Sequence, residues 1–166
     1  MSLSLVIRQP MWKTVFTIPK GTVLQKGRHG LYHDIVGAAG EVTERFGCYS
    51  WGSDANVFYC GSFAQDYSSG NFRTNLHGRV HNYLQNHRVN ARTGRKNTNL
   101  MVFENINNAL KQKDVLLRHF TFESLQVGND EVDFASFSAD PDLVHAVEQL
   151  LICIYRRQGQ CKWNRT

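Results

Sequence analysis

Two short aromatic runs, separated by a cluster of turn-forming residues, constrain the fold of this chain more than any other feature of its sequence. Residues 47–51 are Gly-Cys-Tyr-Ser-Trp and residues 57–61 are Val-Phe-Tyr-Cys-Gly. Between them, Gly52-Ser53-Asp54 is typical of a tight turn. Two apolar runs of strand length joined by a few turn residues favour an antiparallel hairpin, because a short connection leaves consecutive strands side by side.

A helix is predicted from about Thr74 to Asn86, following a polar loop that contains glycine. Its apolar residues recur at the spacing of a single helix face. Because successive residues turn by about 100° in a helix, Arg79 lies beside Tyr83 at the edge of that face, between the core and the solvent. The predicted apolar face consists of Leu76, Val80, Tyr83 and Leu84.

A longer helix is predicted near the C-terminus, from residue 140 to about residue 157. Asp140 is a favourable N-cap, Pro141 suits the first helical position, and Gly159 is a typical terminator. Glu148 is expected on the flank of the apolar stripe of this helix. The predicted stripe consists of Leu143, Val147, Leu150, Leu151 and Ile154.

The remaining segments complete a predicted fold of the α/β (α+β) class. A third strand is expected over residues 116–122 and a short helix over residues 103–113. The N-terminal part predicts, in chain order, a strand, a turn and a loop at residues 15–19, 26–30 and 37–40. We therefore expect a small three-stranded, mainly antiparallel sheet flanked by helices.

Length and composition favour one globular domain without a membrane partner. The 166 residues, 42% of them hydrophobic, are enough to bury a core. No apolar run approaches the roughly 18 to 20 residues of a membrane span, and the first residues lack the pattern of a signal peptide. The 4 cysteines form no C-x-x-C pair, which disfavours both a disulfide framework and a zinc site. We expect a cytoplasmic protein with reduced thiols.

The positive charge is concentrated in one part of the chain. The net charge is +5, and the segment from Tyr67 to Phe103 contains six basic residues and no acidic one. Such a local surplus is typical of proteins that bind polyanions, although a solvated loop in a mildly basic protein has the same composition. The six residues are Arg73, Arg79, Arg88, Arg92, Arg95 and Lys96.

The hairpin and the elements after it carry a recognisable series of motifs. Gly47-Cys48-Tyr49, nine intervening residues and Tyr59-Cys60-Gly61 resemble the two-part signature of the GIY-YIG nuclease superfamily. Residues 75–83, Asn-Leu-His-Gly-Arg-Val-His-Asn-Tyr, are similar to the N-L-x-x-R-V-x-x-Y helix of that family. Glu148 resembles its metal-binding glutamate on a late helix, and Lys162-Trp163-Asn164 resembles its closing aromatic–Asn pair.

The resemblance implies a metal site and a phosphate site. Glu148 is implied as the ligand of one Mg²⁺ or Mn²⁺ ion, Arg79 as the contact to the scissile phosphate, and Asn164 as a supporting residue. These residue types suit phosphodiester hydrolysis, which needs an activated water and neutralisation of the charge on the phosphorus centre. A hard cation is commonly held through a single carboxylate and waters, and a planar guanidinium pairs well with phosphate oxygens.

The resemblance also assigns functions to the tyrosines. Tyr49 is implied either as a general base or as a group that only positions a water, and its reference pKa of about 10 makes it an awkward base. Tyr59 and Tyr83 would complete its hydrogen-bond network. Tyr49 and Tyr59 also have an ordinary interpretation as strand aromatics.

The chain departs from the family pattern in two places. Tyr59 and Arg79 are twenty residues apart, about twice the common spacing in the family, so residues 63–74 are expected to contain an insertion. Ser62 stands near a position where many members carry a lysine.

The other motif residues have ordinary interpretations as well. Glu148 is also compatible with a solvated helix position, Arg79 with a surface pair to Tyr83, and Trp163 with a core anchor. The histidines at 77, 81 and 87 lack an evident fourth ligand, which disfavours zinc.

Together these features predict a divalent-metal-dependent endonuclease that cleaves double-stranded DNA, most similar to a small stand-alone type II restriction endonuclease. Residues 46–166 would form the nuclease domain, and residues 1–45 an extension that contacts DNA or a second copy in a homodimer. The alternatives are a non-catalytic basic nucleic-acid-binding module, a homing or repair-type nuclease of the same family, and an assembly protein. The residues expected to contact DNA are Arg73, Arg88, Arg92, Arg95 and Lys96.

Overall fold

A computed structural model describes residues 3–6, 12–44, 46–64, 75–120, 124–127, 130–132 and 141–164. The elements are, in chain order, β1 (Leu3–Val6), β2 (Trp12–Ile18), α1 (Tyr32–Gly40), β3 (Phe46–Ser53), β4 (Asn56–Ala64), α2 (Leu76–Gln85), α3 (Thr98–Leu110), β5 (Val115–Phe120), β6 (Ser124–Val127), β7 (Asp130–Val132) and α4 (Pro141–Arg157). Among these elements, none is a helix long and apolar enough to cross a membrane.

The central element is an antiparallel sheet of four strands in the order β2-β5-β3-β4. The predicted hairpin is confirmed, with Tyr49 opposite Gly61 and Trp51 opposite Tyr59. The α/β class is also confirmed, but β2 adds a fourth strand to the predicted three. Because β2 belongs to the same sheet, the predicted boundary between residues 45 and 46 does not coincide with a break in it. A second sheet has the order β1-β6-β7.

The two faces of the four-stranded sheet bury different clusters. On one face, Tyr49, Trp51, Tyr59 and Phe63 pack with buried residues of α1, α2 and α3. On the other face, Cys48, Cys60 and Phe120 pack with the buried side of α4. The faces alternate along β3 and β4 because successive side chains of a strand point in opposite directions. The buried side of α4 consists of Val144, Val147, Leu151 and Ile152.

Helix α2 is confirmed, since its buried residues are the four predicted ones, and Asn75 caps its N-terminus by accepting from the Gly78 N–H at 3.0 Å. Helix α3 begins at Thr98 rather than at residue 103 because Asn97 provides an N-cap, accepting from the Leu100 N–H at 2.9 Å. Residues 37–40 were expected to form a loop, but they end helix α1. Small residues suit that end because a Cβ on Gly40 would already lie 3.2 Å from the His77 ring.

The predicted apolar stripe of α4 is partly wrong. Leu150 and Ile154 are 44% and 39% exposed, whereas Val144 and Ile152, which were not predicted, are buried. The burial pattern shows that the helix is rotated toward residues 144, 148 and 152, which places Glu148 within the sheet-facing side. Gly159 follows the helix with a φ of +74°, as expected for a terminator. Asp140 and residues 128–129 of the predicted turn lie outside the described residues.

The C-terminal segment, residues 160–164, lies along the outer edge of β4. Cys161 and Trp163 donate backbone N–H groups to the carbonyl oxygens of Val57 and Phe58, at 2.7 and 3.0 Å. The Asn164 amide accepts from the Cys60 N–H at 2.9 Å and donates to the Cys60 carbonyl at 2.7 Å. This edge strand is therefore paired on both sides, as side-chain and backbone groups of the segment satisfy its polar atoms.

Replacing Gly61 by alanine tests the packing within the hairpin. A Cβ at this position would overlap the Tyr49 ring, which lies directly across the strand pair. We expect Gly61→Ala to lower the free energy of unfolding by about 1 to 3 kcal/mol, measured by urea denaturation. The matched control is Gly37→Ala in helix α1, because a Cβ added at Gly37 would meet no atom within 4 Å. This substitution should leave the free energy of unfolding unchanged or raise it. Equal stability of Gly61→Ala and wild type would contradict this packing.

Candidate functional site

Three tyrosine hydroxyls form a chain of hydrogen bonds between the hairpin and α2. Tyr83 on α2 donates to the Tyr59 hydroxyl on β4 at 3.0 Å, and its hydroxyl also pairs with that of Tyr49 on β3. All three residues are buried, with 1%, 8% and 4% exposure for Tyr49, Tyr59 and Tyr83. The absence of a side chain at Gly61 leaves the space that the Tyr49 ring occupies. The motif glycine and the motif tyrosines are thus parts of one packing arrangement.

Burial determines the charge state of this network. It raises the pKa of all three phenols well above the ordinary value and is the largest cause in each case. For Tyr49, the neighbouring Tyr59 and Glu148 raise the pKa further, whereas Arg79 and the hydrogen bond to Tyr83 lower it. A general base would have to be a phenolate, which this burial opposes. Burial therefore disfavours Tyr49 as the base, which leaves the alternative that a neutral Tyr49 only positions a water.

Arg79 approaches the network from α2, one turn before Tyr83. Its positive charge lowers the pKa of both Tyr49 and Tyr83, against the larger effect of burial. The side chain is half-buried, as predicted from its place on the helix. Within the described part of the chain, its Nε is buried and has no hydrogen-bond partner. A buried guanidinium N–H without an acceptor leaves a donor available for an anionic ligand.

Glu148 approaches the hairpin from the opposite face of the sheet. Its Oε2 accepts a hydrogen bond of 2.5 Å from the Ser62 hydroxyl on β4 and lies 3.2 Å from His145 Nδ1. The side chain is only 13% exposed, so Glu148 is not the solvated helix residue of the ordinary interpretation. Its negative charge nevertheless raises the pKa of Tyr49 and Tyr59, which lie on the other face. The carboxylate and the phenols therefore lie on opposite faces of the sheet, with Glu148 joined to β4 through Ser62.

Asn164 is placed against β4 rather than against the phenols. Its bidentate pairing with the backbone of Cys60 holds the strand that carries Tyr59, and Arg156 donates to the Asn164 carbonyl at 2.9 Å. Trp163 packs on Phe58 with ring centroids 4.9 Å apart. Asn164 accordingly supports the site through the strand, without reaching the phenols itself.

The predicted DNA contacts are separate from this site. Arg88, Arg92, Arg95 and Lys96 are exposed in the loop between α2 and α3, whereas Arg73 lies outside the described residues. The loop is ordered by the Asn90 side chain, which accepts from two backbone N–H groups at 3.0 Å. Lys96 pairs with Glu104 at 2.7 Å, so part of its charge is neutralised locally.

The histidines of α2 make local contacts. His81 Nδ1 lies 2.6 Å from the Tyr32 hydroxyl, His77 Nδ1 lies 3.1 Å from the Val36 carbonyl and His87 Nε2 lies 2.7 Å from the Tyr83 carbonyl. No group of three or more His, Cys, Asp or Glu side chains suited to a metal ion occurs among the described residues. The histidines of α2 do not have the arrangement of a tetrahedral zinc site. The single carboxylate of Glu148 is, in contrast, the kind of ligand through which Mg²⁺ is commonly bound.

The sequence did not point to the two groups that hold Glu148. His145 precedes it by three residues, the spacing at which side chains of a helix meet, and this spacing was the available signal. In the sequence, Ser62 stands out only as a departure from the family pattern. Its hydroxyl donates to the carboxylate, which a lysine ammonium at the same position would also do.

Comparisons of this chain with protein-family models, with curated proteins and with solved structures find no match. A function is therefore inferred from the arrangement of the side chains described above.

The raised pKa values of the phenols predict a loss of stability at high pH. In the folded state Tyr49, Tyr59 and Tyr83 stay protonated at a pH where unfolded tyrosines ionise. Their contribution is complete below the reference pKa of about 10 and is lost as the pH rises above it, because only the unfolded state then releases protons. Urea denaturation over this range should show a falling free energy of unfolding.

Tyr83→Phe is the control for this pH dependence. Removing one buried phenol should make the alkaline fall shallower than in wild type, whatever its effect at neutral pH. An identical slope in the two proteins would show that these phenols ionise as readily in the folded state.

Proposed function

We propose that the protein is a divalent-metal-dependent DNA endonuclease. The observation that carries the proposal is that Arg79 on α2 and Glu148 on α4 flank the same hairpin, Arg79 with a buried Nε that has no partner among the described residues and Glu148 held by Ser62 and His145. Phosphodiester hydrolysis needs both a cation site and a phosphate site, and these two residues would supply one each.

Glu148 is the residue that would hold Mg²⁺ or Mn²⁺. The Ser62 hydroxyl and His145 orient its carboxylate, and partners of this kind are commonly needed for metal affinity and activity. When bound, the ion would supply Lewis-acid neutralisation of phosphate charge and a lowered pKa of its water.

Arg79 would bind a phosphate oxygen through its guanidinium; its Nε, which is buried and has no partner among the described residues, would have to be uncovered to take part. Its guanidinium stays charged and presents a planar fork, so it stabilises the charge that develops on the phosphate as the bond breaks. The tyrosine network holds α2 against the hairpin and thereby sets the position of Arg79 relative to β4. Neutral phenols can both donate and accept hydrogen bonds, which suits them to positioning a water.

The exposed arginines between α2 and α3 are proposed to contact the phosphates of double-stranded DNA. Contacts of this kind position a duplex but carry no sequence information. A restriction enzyme acting as a homodimer is our preferred form of the proposal, and a homing or repair nuclease is the related alternative.

A non-catalytic nucleic-acid-binding module is the second candidate. The raised pKa values of the phenols favour it, because they deny the site a ready base. Such a module would bind DNA without cutting it at any metal concentration or pH, which separates the two candidates directly.

Glu148→Gln and Arg79→Gln test the cleavage proposal. Each should reduce the rate of plasmid cleavage with Mg²⁺ by about 100-fold or more, because each removes a charge that stabilises the transition state. Chelation of the metal in wild type should have the same effect. The measurement is the conversion of supercoiled plasmid to nicked and linear forms.

Glu41→Gln and Arg28→Gln are the matched controls, since both residues are exposed and outside the site. They should cleave like wild type. Normal cleavage by both site variants would refute the site, and intact plasmid with wild type across metals and pH would favour the binding module.

The exposed basic loop is tested by the salt dependence of DNA binding. Replacing Arg88, Arg92 and Arg95 by glutamine should weaken binding and reduce the slope of log K against log salt by about 0.9 for each phosphate that the variant no longer neutralises. The measurement is a salt series of fluorescence anisotropy on a labelled duplex in EDTA. Lys26→Gln, on an exposed turn elsewhere, should leave the slope unchanged; the same slope in the triple variant would place the DNA on another surface.

A further inference from the structure

A cleft of about 460 Å³ lies between α3 and the C-terminal segment, away from the tyrosine network. It begins at Asn56–Phe58, whereas Glu148 meets β4 at Ser62. Four residues of a strand separate Phe58 from Ser62, which corresponds to about 14 Å. The cleft is therefore a second site on the same strand, and its volume is in the range of small-molecule sites.

One wall of the cleft is aromatic and is held in place by the backbone. The Phe58 and Trp163 rings lie with centroids 4.9 Å apart, and the Trp163 N–H donates to the Phe58 carbonyl at 3.0 Å. The neighbouring Cys161 N–H donates to the Val57 carbonyl at 2.7 Å. Aromatic rings whose backbones are paired lose little freedom on binding a planar ligand.

The facing wall carries carboxamides. Asn105, Asn108 and Gln112 follow one another at spacings of three and four residues, which places them on one side of α3 and the turn after it. Asn108 Oδ1 accepts from Lys111 Nζ at 3.0 Å, while the amides of Asn105 and Gln112 have no hydrogen-bond partner within the described residues. A carboxamide offers donors and an acceptor side by side, the pattern that reads the edge of a nucleobase.

The charge of the cleft is positive. Lys113 and Lys162 line it, and no acidic side chain does so among the described residues. Lys113 Nζ lies 5.5 Å from the centre of the Phe58 ring, so the ammonium is close to the aromatic wall. A ligand that fits these walls has a flat ring, a polar edge and a negative group.

We propose that this cleft binds one unstacked nucleotide, with its base against Phe58 and Trp163 and its phosphate near Lys113 and Lys162. The carboxamides of α3 would contact the edge of the base. The proposal does not rest on the cleavage chemistry, because none of these residues belongs to the candidate active site.

Binding of mononucleotides in EDTA tests the proposal. The probes are the four deoxynucleoside 5′-monophosphates, adenosine 5′-monophosphate to compare ribose with deoxyribose, and deoxyribose 5-phosphate and inorganic phosphate, which lack a base. We expect saturable binding of the nucleotides by calorimetry, accompanied by quenching of tryptophan fluorescence, because Trp163 is half-buried at the cleft. Trp51 is fully buried. Trp12, which is also half-buried, packs on Phe120 and Tyr155 outside the cleft lining. Deoxyribose 5-phosphate should bind at least about tenfold more weakly than a nucleotide, since it has no base to stack.

Lys113→Gln and the double variant Asn105→Leu/Asn108→Leu are the test variants. Each should weaken nucleotide binding by about tenfold, as expected when a charged or bidentate interaction is removed. Lys26→Gln and Glu41→Gln, at exposed positions outside both sites, should bind nucleotides like wild type. Trp163→Phe and Trp163→Ala lack the reporting indole, so their binding is measured by calorimetry: Trp163→Phe, which keeps a ring, should retain the binding that Trp163→Ala abolishes. If Trp163→Ala does not fold, the Lys113 and asparagine variants decide.

Three results would overturn the proposal: no saturable binding at millimolar nucleotide, equal binding of deoxyribose 5-phosphate, or unchanged binding by the test variants. Equal binding of the sugar phosphate would show an anion site that does not recognise a base. If the test variants bind nucleotides with unchanged affinity, the nucleotide binds at another place, and the loop between α2 and α3 is the alternative. A negative result in the nucleotide-binding test would not change the expected plasmid cleavage, and a lack of cleavage would not change the expected nucleotide binding. The two proposals are therefore tested independently.

Discussion

The close contact of the Tyr49 ring with Gly61, inside the β3–β4 pair, is the constraint on which the rest of the structure depends. It directs the Tyr49 hydroxyl toward Tyr83 and so attaches helix α2 to the sheet through phenolic hydrogen bonds. Arg79 lies on the same helix, and its charge reaches the phenols because of this attachment. A glycine in a strand, which weakens pairing in isolation, is here what allows the helix and the sheet to share one polar network.

The two faces of β4 carry different parts of the candidate site. Tyr59 and Gly61 belong to the helix α2 side, whereas Ser62 reaches Glu148 on α4. A sheet is one residue thick, so a carboxylate on one side still acts on phenols on the other, as the pKa effects on Tyr49 and Tyr59 show. Burial strengthens such effects because little water lies between the charges. Residues that share neither an element nor a face are thereby energetically connected.

Local patterns predicted the elements whose residues alternate clearly between core and solvent: the hairpin and helix α2 agree closely with the structure. The features that local patterns did not predict depend on tertiary contacts. The pairing of β2 with β5 joins residues about one hundred positions apart, and no local pattern encodes that partner. Helix α1 ends in Gly-Ala-Ala-Gly, where the burial of Ala39 and the approach of Gly40 to the His77 ring outweigh the usual preference of glycine for loops. The rotation of α4 depends on the sheet surface beneath it, which is why Leu150 was misplaced and His145 overlooked.

The pairing of residues 160–164 with β4 also bears on self-association. An unpaired outer strand is a template on which a second chain can add in the manner of amyloid. Here the last residues occupy that template, and β2, at the opposite border of the sheet, is distorted by a register shift between Thr14 and Phe16. Edge-to-edge addition of a further strand to the four-stranded sheet is therefore hindered at β4 by residues 160–164 and at β2 by the register shift.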